Sequence, residues 1–383
     1  MAATDDKPRP LAALMQAALA LPILAVPARA GAVESGEMGF TLLSYKERGL
    51  IKVIEPIVWG HAQIDDVWEV RASAAVDVVT GASPDVVTNV SGRPVQTVSG
   101  ASITDHRKTW DAKVTRRVQD MTFSVSQTIS REEDYLSAAY GLEGTLDLDQ
   151  RNTTLVAGYG FSNDRLRSTD DPTLDAPRYT RQYLAGITQI VSPVSLVQST
   201  LTWSHGRGDF DDPYKHTLTF YPTGAPAFAF DTRPDHRNSL AWLTRYRQHV
   251  VRADGTLQID YRYYRDDWGI RSHTLEAAWE QRLGERWSLR PALRYYTQSA
   301  ADFYTPAIPR PQPAILSSDQ RLAAFGGLSP SLRATVGLPR GWSLEGTIGY
   351  VYDTAKLHWS GPGSEAFAPL RAVYGIAGIR YAF

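Results

Sequence analysis

The sequence predicts an all-β protein: a transmembrane, antiparallel, up-and-down β-barrel of about 16 strands behind an N-terminal signal peptide. Three observations lead there. The C-terminal segment alternates between an apolar and a polar face and ends in an aromatic residue. Long segments with the same alternation recur through the chain. The connections between them alternate between tight turns and longer polar loops.

In the last segment, Val373, Gly375, Ala377, Ile379, Tyr381 and Phe383 share one parity, and Tyr374, Ile376, Gly378 and Arg380 share the other. Successive side chains of a strand point to opposite faces, so the two sets separate. The first face is apolar and ends in a ring; the second carries an arginine that lipid or a dry core would reject. A terminal phenylalanine on such a strand resembles the closing strand of a bacterial outer-membrane barrel. That likeness implies pairing with the first strand and reading of Phe383 by the barrel-assembly machinery. The terminal strand of a soluble β protein can show the same alternation, so the rest of the chain decides.

Bulk properties narrow the choice. The 383 residues carry a formal net charge of −1, without the clustered positive charge that nucleic-acid binding needs. The absence of cysteine excludes disulfides, zinc–thiolate sites, iron–sulfur clusters and covalent haem within the chain, and no cofactor is expected. Ten Trp and 19 Tyr suit a protein at a lipid–water boundary. At the N-terminus, Lys7 and Arg9 precede an apolar run over 11–26, and Ala28-Arg29-Ala30 supplies a small-x-small cleavage pattern. Residues 1–30 therefore read as a signal peptide and 31–383 as the barrel domain. Asp5 and Asp6 are unusual in such a leader, and a membrane anchor is the alternative; Gln16 and Pro22 interrupt the run. No later stretch is apolar for the roughly 20 residues a spanning helix requires.

The expected strands are 40–47, 51–64, 67–80, 106–118, 121–132, 135–149, 152–162, 179–191, 194–205, 236–250, 256–266, 270–282, 286–298, 320–338, 342–353 and 370–383. Their number is even, as in single-chain bacterial barrels. Pro56 sits awkwardly inside the second. Connections after even-numbered strands are tight; most of those after odd-numbered strands are longer, notably 81–105, 206–235, 299–318 and 354–369. A strand of about 11 residues, rising ~3.3 Å per residue at ~40° tilt, spans about 28 Å, enough for an apolar band of ~25 Å. Propellers, sandwiches and solenoids use strands of about 5–6 residues.

Solvation then assigns the faces. An arginine facing lipid at mid-depth costs ~2–4 kcal/mol. Arg71, Asp77, Glu143, Asp147, Asp260, Arg262, Glu276, Glu280, Arg290, Arg294, Arg333, Glu345 and Arg380 are therefore expected to face a polar lumen of mixed sign.

Several stretches resemble a family of exported proteins of unknown function with an uncharacterised outer-membrane barrel domain: 77–84 (DVVTGASP), 99–107 (SGASITDHR), 131–135 (REEDY), 151–158 (RNTTLVAG), 294–304 (RYYTQSAADFY) and 317–322 (SSDQRL). Each is weak alone, but together they spread over nearly the whole mature chain. The resemblance implies a monomeric barrel in the outer membrane of a Gram-negative bacterium. It also implies genes beside those for a small lipoprotein, a thioredoxin-like protein and a flavin transferase, hence an envelope redox link. It carries no catalytic residues.

The sharpest local cluster is His205, Asp209, Asp211, Asp212 and His216, whose carboxylates and imidazoles could hold a divalent cation; a solvated loop has the same composition. The charged turn 131–135 reads as a cation site, as a lid on the lumen or as an ordinary surface turn with an exposed ion pair. Two Gly-Ala-Ser repeats, 81–83 and 100–102, bracket a loop that either enters the lumen or stays outside. Ser204 and His205 are adjacent and so point to opposite faces, and neither a glycine-rich phosphate loop nor an H-E-x-x-H motif is present. The expected function is a non-enzymatic passage, or a scaffold holding a small lipoprotein or periplasmic redox protein. The alternatives are a general diffusion porin for small polar solutes and an outer-leaflet hydrolase.

Overall fold

A computed structural model describes residues 33, 35–81, 84–90, 93–98, 103–169, 171–220, 223–306 and 313–383. The expected signal peptide, 1–30, and most of both Gly-Ala-Ser repeats lie outside the described residues. The strands are β1 (Ser35–Glu47), β2 (Ile51–Gln63), β3 (Trp68–Gly81), β4 (Pro84–Val90), β5 (Arg93–Val98), β6 (Ile103–Val118), β7 (Met121–Arg131), β8 (Tyr135–Leu148), β9 (Thr153–Arg167) and β10 (Asp175–Ser192). They continue as β11 (Ser195–Gly208), β12 (His216–Phe220), β13 (Pro226–Phe230), β14 (His236–Val250), β15 (Gly255–Asp266), β16 (Arg271–Leu283), β17 (Trp287–Gln298), β18 (Phe325–Gly337), β19 (Trp342–Thr354) and β20 (Leu370–Ala382). Sixteen of them close into one antiparallel barrel in chain order, and β4–β5 and β12–β13 are separate hairpins within two of the long loops.

Closure is made by β1 and β20, paired from Glu37 opposite Ala382 to Glu47 opposite Ala372. At the end of this seam Gly36 and Phe383 exchange both backbone hydrogen bonds, each 2.9 Å. The Phe383 ring lies over Gly36, so a Cβ there would come within 2.5 Å of it. Trp59 covers Gly39 in the same way. Two glycines in β1 thus let rings lie flat across the first strand.

Directly opposed residues of an antiparallel pair share a face. Register therefore carries one parity around the barrel: Arg380 opposes Gly39, Gly39 opposes Trp59, Trp59 opposes Ser73, and Ser73 opposes Asp111. The opposite face bears the exposed apolar side chains, among them Val125, Leu142, Leu201, Leu293 and Ile348. Rings flank this aliphatic band. Trp342, Tyr381 and Phe383 stack successively near the tight turns. Toward the long loops, Tyr140, Phe161, Tyr159, Tyr183 and Trp203 form a continuous row across four strands.

The differences from the expected strands have physical causes. Residues 81–105 and 206–235 contain the two hairpins, whose strands of five to seven residues are too short to cross the apolar band. β9 and β10 extend well past 162 and 179 because backbone pairing continues beyond the apolar band, where Arg165 bonds Asp175 across the ladder at 2.6 Å. The strand expected from 320 starts instead at Phe325, because the Asp319 carboxylate caps the Arg321 N–H at 3.0 Å and folds Gln320–Leu322 into a 3₁₀ turn. Pro56 does lie inside β2; the ladder to β3 passes from Ile54 to Ile57 and skips it.

Gly39→Val should weaken the closing seam, since the added Cβ would also lie 2.9 Å from the Ile379 carbonyl oxygen. The expected loss is about 1–3 kcal/mol, read as a lower temperature for the gel-mobility shift between folded and unfolded barrel. Gly60→Ala, whose added Cβ would lie 3.9 Å from the Glu37 carbonyl oxygen, should leave that temperature unchanged.

Candidate functional site: the lumen and its loop-side mouth

The inner face is polar because every strand contributes its hydrophilic parity to it. A cavity of 570 Å³ is lined from six strands by, among others, Glu143, Gln182, Thr200, Arg245, Arg262 and Tyr264. Only the barrel interior brings β8 and β15 to a common space.

The register places all thirteen charged residues singled out above on this inner face. Most are engaged in ion pairs or hydrogen bonds. Glu143 bonds Lys113 at 2.9 Å, Arg290 bonds Glu276 at 2.9 Å, and Arg71 bonds Glu69 at 2.6 Å. Arg333 and Glu345 stand 3.8 Å apart, and Arg380 lies 3.4 Å from Glu37. Asp77 pairs with Arg107, and Asp260 with Arg247 and Arg245. Asp147 accepts from Thr154 at 2.7 Å and Glu280 from Gln258 at 2.9 Å. Arg262 and Arg294 lie instead over the rings of Tyr264 and Tyr296.

The five residues considered for a cation are not brought together. His205 has outward parity on β11, with Nδ1 2.6 Å from Asn238. Asp209 accepts the Asp211 N–H at 2.8 Å, and Asp211 accepts that of Arg233 at 2.6 Å. Asp212 pairs with Arg321 at 2.5 Å, while His216 lies in β12 against Phe230. Among the described residues no three His, Asp or Glu side chains form a metal-holding group. Loop carboxylates here satisfy backbone N–H groups and arginines. Ser204 lines the lumen cavity and His205 does not, so the pair is split between faces.

What the sequence pattern missed lies at the loop-side mouth. Segments 209–235 and 299–324 meet there through the bridge Thr232–Leu316, and the bridge Tyr304–Ser317 folds the second segment on itself. Beneath them Trp268, Ile270, Ala301 and Leu322 form a small core, extended by Phe210 and Phe303 packed edge-on to Trp268. Asp319 anchors the assembly: it is 3.0 Å from Arg233 and also paired with Arg321, which reaches Asp212 of the other loop. Arg233 is held further by Asp231 at 2.6 Å. Burial pushes the Asp319 carboxyl up, but Arg321 and Arg233 more than offset it and hold the group below the usual carboxylate range. Burial dominates at Asp231 and Asp211, whose carboxyls are raised, and it lifts the Tyr304 hydroxyl to about 12. Beside this latch a 410 Å³ cavity opens, lined by Arg178, Arg233, Arg237, Arg262 and Arg321 with Trp268. Alternation could have flagged Arg178 and Arg237 as inward, but not their approach to Arg262.

The sequence profile of a family described as protein of unknown function (DUF3570) matches residues 11–178 and 167–368. The chain belongs to this family. No curated protein matches the DUF3570 chain in sequence. Among solved structures, CdiB from Acinetobacter baumannii aligns with a TM-score of 0.51 at 6% identity, over 91% of this chain and 60% of CdiB. A bacterial polysaccharide outer membrane secretin aligns at 0.47 and 10% identity, over 91% of this chain and 98% of that one. A loop-deletion form of OmpT, an outer membrane protein of Vibrio cholerae, aligns at 0.46 and 10% identity, over 92% and 100%. At such identities the likeness concerns the fold alone: this DUF3570 chain shares a closed β-barrel fold with CdiB.

Asp319→Asn should loosen the latch, because two guanidinium groups lose a carboxylate that is 2% exposed. The expected cost is about 3–5 kcal/mol of local opening, read as faster protease cleavage within 209–235 and 299–324. A carboxyl held below its unfolded value stabilises above that value and loses the contribution as pH falls through the folded one. The wild-type latch should therefore hold at pH 5 and open only below the ordinary carboxylate range, as hydrogen exchange of the two loops would register.

Proposed function

We propose that this chain is a non-enzymatic barrel of the bacterial outer membrane that passes small polar solutes through its lumen. One observation carries the reading. The outer face is an aliphatic band between two rows of rings, whereas the inner face is hydrophilic and encloses cavities. A membrane demands the first arrangement, since lipid cannot solvate polar groups, and a polar solute favours the second. Phe383 remains exposed on the outer side of the closing seam, where the assembly machinery can reach it. A second cavity, of 1120 Å³, lies toward the tight turns and is lined by His249, Glu280, Arg282, Arg286 and Arg380. Polar space at both ends of the barrel supports passage along its axis. The role of holding a lipoprotein or redox protein is the alternative that the same experiment separates.

Ile348→Lys, on the apolar outer band, should cost about 2–4 kcal/mol and reduce the folded barrel recovered from membranes. Its neighbour Thr347→Lys, on the lumen side, should assemble normally. Purified in detergent and reconstituted alone into a planar bilayer, the protein should conduct steadily. A barrel that stays silent until a co-purifying partner is stripped away would favour the scaffold instead.

A further inference from the structure

We infer that the loop-side mouth holds a binding site for a small oxyanion, a carboxylate or a phosphate, with Arg262 as its principal recognition group. The inference specifies the solute class of the passage proposed above and rests on that reading for its physiological meaning, but not for the binding itself.

Charge placement is the first argument. Arg178 is bonded to Asp164 at 3.1 Å and Arg237 to Asp266 at 2.6 Å. The carboxylate side chains are 6% and 0% exposed, whereas their arginines keep 22% and 31%. The acids therefore sit behind the guanidinium groups, and a solute entering the 410 Å³ cavity meets donors first. Asp266 has no capacity to spare, because it also accepts from Tyr264 and from the Trp268 and Ile270 N–H groups.

Arg262 is the second argument. It has no carboxylate partner among the described residues. Its cross-strand neighbours are Leu243 and Thr274, both uncharged. Asp260, two residues back on the same face, is taken by Arg245 and Arg247. The Arg262 guanidinium lies over the Tyr264 ring at 5.4 Å, which orients it without neutralising it. Nearby Arg294 does not draw a carboxylate onto Arg262: its own charge is opposed by Asp353, and its cross-strand neighbour Glu276 is bonded to Arg290.

Position is the third. Arg262 and Tyr264 line both the mouth cavity and the 570 Å³ lumen cavity. A solute passing from one to the other goes by this pair. Trp268, Ile270 and Leu322 wall the mouth on the loop side, which lowers the local dielectric and strengthens a guanidinium–oxyanion contact. The planar fork of arginine matches carboxylate and phosphate alike.

The test uses the full mature barrel with inorganic phosphate and succinate as probes, each followed by titration calorimetry in detergent and by block of chloride current in a planar bilayer. The wild type should bind at least one probe and should prefer anions in a potassium chloride gradient. Arg262→Gln orphans no carboxylate and should fold; it should weaken binding and block roughly tenfold. Arg262→Lys should restore part of the loss, and Arg181→Gln, opposite His205 on the outward face, should change neither. Phosphate binding alone, or succinate binding alone, identifies which oxyanion the mouth takes. A barrel that conducts but binds neither probe, or one whose Arg262→Gln form binds as well as the wild type, overturns the site and leaves passage standing. A barrel that does not conduct, yet binds a probe through Arg262, keeps the site and removes the passage reading.

Discussion

The structure depends on the pairing of β1 with β20. Fifteen hairpin-like neighbours can form from contacts close in sequence, but this ladder joins the two ends of the barrel domain. Without it two rows of backbone N–H and C=O groups would be left unpaired at open sheet edges, a cost of several kcal/mol per group in an apolar surrounding. Closure also fixes parity. Once Arg380 opposes Gly39, each succeeding ladder inherits the same inside and outside, and a slip of one residue would turn arginines and glutamates outward. The two glycines of β1 serve this joint by letting the Trp59 and Phe383 rings cross the first strand at close range.

The inner face resolves its charge in two ways. Along the barrel wall, cross-strand pairs such as Lys113–Glu143 and Arg290–Glu276 neutralise one another in a space wide enough for water. At the mouth, acids withdraw behind arginines: Asp164, Asp266 and Asp319 are nearly inaccessible while their partners reach the cavity. Burying a carboxylate is costly unless its oxygens are fully bonded, and each of these meets that condition with guanidinium, backbone N–H or hydroxyl donors. The outcome is a protein of formal net charge −1 whose entrance presents guanidinium groups in front of their carboxylates. That organisation, rather than net charge, supports a preference for anions.

Much of this was open to a reading of the chain alone. The barrel's strand count, its apolar outer face and the long loops on one side were readable because a half-buried strand writes its environment into every second residue. The ends of β9 and β10 were not, since Asn163, Arg165, Arg167 and Asp175 break the outward apolar pattern and only the backbone ladder continues. The β4–β5 and β12–β13 hairpins escaped because their strands are about half the length of the barrel strands. The cation cluster around Asp209 illustrates the opposite error: nearness in sequence suggested a shared ligand, but the folded loop spends those carboxylates on N–H groups and arginines.

The sequence by itself determined the faces, since parity is a local property with a period of two residues. Only the tertiary structure decided that Arg178, Arg237 and Arg262 look into one cavity and that Asp319 ties two long loops over it. Those meetings depend on register, closure and the path of loops across the mouth. Each is set by contacts between segments far apart along the chain, and no local pattern of hydrophobicity records them.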